Sequence, residues 1–172
     1  MALSLTPEQQ QLLASLPHTI GSAMAFAGKS GIFGTGKEMF TNSKALLEGM
    51  RLYPDNELIR SILPDPQAAD RSAEIAEMRA TRDWMQSRIR DKQVNSQEKL
   101  VDMAVADASE ANNLLMTLDP AVAAEYRQWV LGAAEKVAMA SSEGGFLGFG
   151  GEQFSEGERK LLDQLKNALG VG

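Results

Sequence analysis

Between Gln67 and Asp119 the chain contains neither glycine nor proline. This run constrains the fold more than any other feature. Strong helix formers dominate it, and no apolar alternation at a period of two competes. One unbroken helix of that length would extend about 80 Å at 1.5 Å per residue. A compact chain of this size is only about 40 Å across. The helix must therefore break, and Gln93-Val94-Asn95-Ser96 is the expected place, with Asn95 and Glu98 as a capping pair. The expectation is a long antiparallel helical hairpin from about 67 to 118.

The flanking segments also read as helices. Thr6-Pro7-Glu8-Gln9 supplies an N-cap, a proline at the first helical position and a polar residue three after the cap. Leu12, Leu13 and Leu16 follow at helical spacing, and Ile20, Ala23, Met24 and Ala27 continue the stripe beyond Pro17. That pattern is either a kinked helix or two short ones. Thr35 with Glu38 caps a helix running to about Leu52, and Tyr53-Pro54-Asp55 stops it. Asn56 to Leu63 is a short helix closed by Pro64-Asp65-Pro66. Asp119-Pro120 opens another, with Val122, Tyr126, Trp129, Ala133 and Val137 on one face. Ser155-Glu156-Gly157-Glu158 is a capping box, and Gly170 ends the last helix after Leu161, Leu162, Leu165, Ala168 and Leu169. The expected fold is all-α: one domain over residues 1–172, a compact bundle of six or seven helices, with shorter terminal helices packed across the central hairpin.

Composition removes many functions. The sequence has no cysteine and one histidine, His18, which excludes disulfides, thiol nucleophiles and Cys-ligated metals and leaves little for acid–base work. A net charge of −6 argues against a nucleic-acid partner. The stretch Gln11 to Gly28 is free of formal charge, but it lacks a basic start and is too polar to span a bilayer. The expected location is the cytoplasm.

Two glycine segments invite stronger readings. Ala23 to Ser30 fits a relaxed phosphate-loop pattern, ending Gly28-Lys29-Ser30, and Gly31 to Lys37 fits most of another. Such a loop needs a strand feeding it and a helix opening directly from it. Neither is present in the pattern, so these glycines are expected to connect helices and no cofactor is expected. His18 likewise reads as a partly exposed residue at the start of a helical stretch, not a metal ligand. In the second segment, Gly144 to Gly151, Phe146, Leu147 and Phe149 stand among five glycines. They are expected to plug gaps between helices or meet a partner.

Charge is unevenly spread. Arg79 to Lys92 holds five basic and two acidic residues, a local +3; Gln93 to Glu125 holds Lys99 against six acids, a local −5. Folded together, these arms would face opposite charges, as exposed pairs worth about 0.2–1 kcal/mol each. Arg79, Gln86 and Arg90 align. Arg82 lies beside the apolar stripe Ile75, Met78, Met85 and Ile89, where it would snorkel or find an acid on another helix. Trp84 and Arg88, four apart, are placed to stack. The expected function is a non-enzymatic module for protein–protein interaction or homodimerisation, using Arg79, Arg82, Arg90, Phe146, Leu147 and Phe149. The alternative is a binder of small or lipid-like molecules in a Met/Phe-lined interior. No catalytic, cofactor or metal residue is assigned.

Overall fold

The computed structural model describes residues 4–27, 44–63, 72–142 and 154–172. Among these residues seven helices follow in order: α1 (Pro7–Ala27), α2 (Gly49–Leu52), α3 (Glu57–Ile62), α4 (Ser72–Asp91), α5 (Gln97–Leu115), α6 (Pro120–Ser142) and α7 (Glu156–Ala168). Residues 44–47 are also helical and lead into α2. No strand occurs among the described residues, so the chain is all-α. The glycine segments 28–36 and 144–151, the Thr35–Glu38 cap and the Pro64-Asp65-Pro66 turn lie outside the described residues.

The expected break in the long central run is present. A straight helix would separate Arg88 from Asp107 by about 28 Å, yet their side chains meet at 2.6 Å. Two local devices produce the reversal. At the end of α4, Val94 N–H donates to Ile89 C=O and Gln93 N–H to Arg90 C=O, the paired bonds of a Schellman stop, with Gln93 left-handed at φ 51°. The next helix is then capped by Ser96, whose side chain accepts from Lys99 N–H. The cap thus falls one residue after the expected Asn95. Glu98 partners the Ser96 side chain, and hydrogen bonds from its own backbone and from Ser96 lower its pKa.

The other caps match their residues. Thr6 and Gln9 bond reciprocally, Asp119 accepts from Ala121 and Val122 N–H, and Ser155 with Glu158 forms a complete capping box. At the end of α7 the same Schellman bonds recur, with Gly170 in the left-handed position. Gly157 brings that helix close to the end of α1: a Cβ there would lie 2.5 Å from the Ala27 carbonyl oxygen.

The hairpin is not the centre of the bundle. That place belongs to α1, which is one continuous helix through Pro17 and packs against α3, α4, α5, α6 and α7. The reason is that from Gln11 onward its sequence carries no formal charge. Leu12, Leu13, Leu16, Ile20, Ala23 and Met24 are buried on more than one face, as a helix surrounded by neighbours requires. Its buried hydroxyls turn inward, Ser15 donating to Leu12 C=O and Thr19 to Ser15 C=O. Small residues set the spacing: Ala104, Ala108 and Ala111 on α5 are fully buried, letting that helix lie close to α1.

Pro17 has no N–H, so the Leu13 carbonyl four residues earlier loses its helical donor. Tyr126 of α6 replaces it, its hydroxyl donating to Leu13 C=O at 2.7 Å. Tyr126 is completely buried and desolvation raises its pKa far above the ordinary phenol, which keeps it a donor at every physiological pH. Its ring meets Trp129 edge to face at 5.6 Å.

The two Schellman stops differ in one respect: Gly170 adopts the left-handed conformation freely, whereas Gln93 carries a Cβ into it. Gln93→Gly should raise stability by about 0.5–1 kcal/mol. A higher urea midpoint with an unchanged m-value would bear this out, and a lower midpoint would show that the Gln93 side chain matters more than its backbone.

Candidate functional site

None of the described side chains of α4 is fully buried. This helix sits at the margin of the bundle, resting on α1, and two features organise it. One is a charged latch to α5, the other an open groove along α1.

The latch centres on Asp107. Its carboxylate is 2% exposed and accepts from Arg88 Nη2 at 2.6 Å and Lys92 Nζ at 2.7 Å. Arg88 also bonds Glu110, and its guanidinium lies 4.8 Å from the Trp84 ring centroid, the stacking expected from their spacing. The expectation of exposed pairs across the hairpin therefore needs correction. Asp107 faces inward in the row of Ala104, Ala108 and Ala111, so the basic end of α4 reaches over to a nearly dry carboxylate. Such a pair gives geometric specificity more readily than net stability.

The groove has a volume of about 500 Å³. Its α1 wall is Ala14, Pro17, His18, Gly21 and Ser22, residues that share one helical face. Met78, Met85 and Ile89 of α4 form the opposite wall, with Glu77, Thr81, Arg82 and Gln86 beside them. Leu46, Leu47, Ile62 and Leu63 close the sides, and Trp129 reaches it from α6. Trp129 is itself positioned by Gly49, where a Cβ would stand 2.4 Å from the indole nitrogen; that nitrogen has no hydrogen-bond partner among the described residues.

On the apolar stripe of α4, Met78 remains 53% exposed and Ile75 43%. Arg82 lines the groove beside Met78, Met85 and Ile89 with its side chain 63% exposed, and pairs with its neighbour Asp83 at 2.9 Å. Arg79 and Arg90 are exposed and do not line it, and Arg90 donates to Ser87. Phe146, Leu147 and Phe149 lie outside the described residues.

His18 was missed as a groove residue because Pro17 suggested a helix start; α1 continues through it. The imidazole keeps an exposed edge but stands in the groove mouth, where desolvation lowers its pKa from the ordinary histidine value. Desolvation thus favours the uncharged imidazole over the imidazolium. Among the described residues no cluster of His, Asp and Glu is arranged to hold a metal ion, and no helix is long and apolar enough to cross a membrane. No protein-family model, curated protein or solved structure matches the chain.

The latch has a measurable consequence. Asp107→Asn removes the charge that faces Arg88 and Lys92, and should cost about 2 kcal/mol. The loss stays below that of a fully buried pair because both cations can turn to water. Hydrogen exchange should accelerate across 72–91 before it does across 97–115. Equal acceleration in both helices would contradict a latch that holds α4 specifically.

Proposed function

We propose that this chain is a binding protein whose groove between α1 and α4 takes the apolar body of a small molecule. The observation that carries the reading is the groove itself. Its volume of about 500 Å³ falls within the range typical of ligand pockets, about 300–1,000 Å³. Methionine, leucine, isoleucine and tryptophan supply eight of the seventeen lining residues. Polar side chains stand on both walls, His18 and Ser22 on α1 and Glu77, Thr81, Arg82 and Gln86 on α4, a mix of apolar lining and polar groups that ligand pockets use. Met78 and Met85 add adaptability, since their unbranched side chains mould to different shapes.

A second reading has its own support. Leu47, Ile75 and Met78 are large apolar residues left exposed, and Leu47 and Met78 also belong to the groove wall. A second copy of the chain or another protein covering this side would bury them, as the composition of interaction surfaces allows.

The two readings separate in one experiment. The neutral dye N-phenyl-1-naphthylamine should bind with enhanced fluorescence and one-to-one stoichiometry. Met78→Lys, at an exposed position, should weaken that binding at least about fivefold by placing a charge in the groove wall, with little change in melting temperature. Occupancy should also shift the resonance of His18, the sole imidazole, and lower its pKa further by excluding water. Failure of the dye to bind, with a dimer in light scattering that Met78→Lys dissociates, would replace this reading with the second.

A further inference from the structure

The charges that line the groove specify the polar end of its guest. We infer that the groove selects an uncharged amphiphile: an apolar chain or ring system ending in a hydroxyl, ester or amide, not in a carboxylate or an ammonium. This rests on the small-molecule reading above and adds the class of ligand.

Among the described residues the lining contains one acid, Glu77, and one base, Arg82, both on α4. They lie five positions apart, so they flank the groove edge without neutralising each other through a helix-spaced pair. Arg82 already has a carboxylate of its own, with Asp83 Oδ1 held by both Nε and Nη2 at 3.1 and 2.9 Å. An anionic head group at Arg82 would have to displace or share that partner, with Glu77 in the same lining, and a cationic head group would meet Arg82 in the lining that offers it Glu77. Desolvation favours the uncharged form of His18, which attracts neither ion.

What remains free of charge can both donate and accept. The Thr81 hydroxyl, the Gln86 amide and the His18 imidazole offer both hydrogen-bond roles. A hydroxyl, ester or amide head finds partners in that set without bringing a charge into a partly desolvated cleft, where an unpaired charge is costly.

The test uses three guests with one tail and different heads: dodecanol, dodecanoate and dodecyltrimethylammonium, each below its micelle-forming concentration. Each displaces N-phenyl-1-naphthylamine from the intact protein at neutral pH. Dodecanol should compete at least about tenfold more effectively than either ion. Glu77→Gln should improve dodecanoate relative to dodecanol, and Arg82→Gln should improve dodecyltrimethylammonium relative to dodecanol. Tightest competition by dodecanoate or by the cation would overturn the inference while leaving the groove a ligand site. If the dye binds and none of the three displaces it, the amphiphile assignment is wrong. Absence of dye binding itself would remove the underlying reading instead.

Discussion

The hydrogen bond from Tyr126 to the Leu13 carbonyl is the contact on which the arrangement depends. Pro17 opens a gap in the ladder of the most buried helix, where water is not available to close it. A completely buried hydroxyl from a helix more than a hundred residues later fills that gap. One bond thereby satisfies α1, fixes α6 against it at a single height and orients the Tyr126–Trp129 pair. Because Trp129 reaches the groove, the position of the groove floor is tied to the defect that Pro17 creates. The same proline faces the groove with His18, Gly21 and Ser22. A stability device and a candidate binding surface thus share one turn of helix.

Much of the helical framework was legible because capping is local chemistry. Thr6, Asp119, Ser155 and Gly170 each act within about four residues of where they stand, so their sequence context contains nearly all of the relevant physics. The hinge after α4 shows the limit of that locality. Asn95 and Ser96 are both competent caps, and the choice follows from the stop ahead of them, where Gln93 takes a left-handed conformation normally left to glycine. The backbone phase set by that stop delivers Ser96, not Asn95, to the capping position.

Tertiary position was less legible. The charge-free stretch from Gln11 to Gly28 lacks the basic start of an addressing signal and the apolarity of a membrane span, and within α1 its physical meaning is burial on several sides. The hairpin lies in the longest run without glycine or proline, yet α4 has no fully buried side chain among those described. Its stripe of Ile75, Met78, Met85 and Ile89 carries the same periodicity whether it faces a core or an open groove. Hydrophobic spacing identifies the face of a helix and says nothing about what covers it. Asp107 was hidden for the converse reason: an acid among alanines looks like a solvated residue until a second helix brings Arg88 and Lys92 to it. The same separation in sequence concealed the pairing of Pro17 with Tyr126.

The central claim is that Tyr126 completes the backbone of α1 where Pro17 leaves it open, and a double-mutant cycle measures it directly. Tyr126→Phe in the natural background leaves the Leu13 carbonyl without its donor and should cost about 1–3 kcal/mol in urea unfolding. In a Pro17→Ala background the new backbone N–H restores the helical bond, and the same Tyr126→Phe change should cost less than half as much. The difference is the coupling between the two residues. Equal costs in both backgrounds would contradict the account, since the hydroxyl would then be acting independently of the gap in the helix.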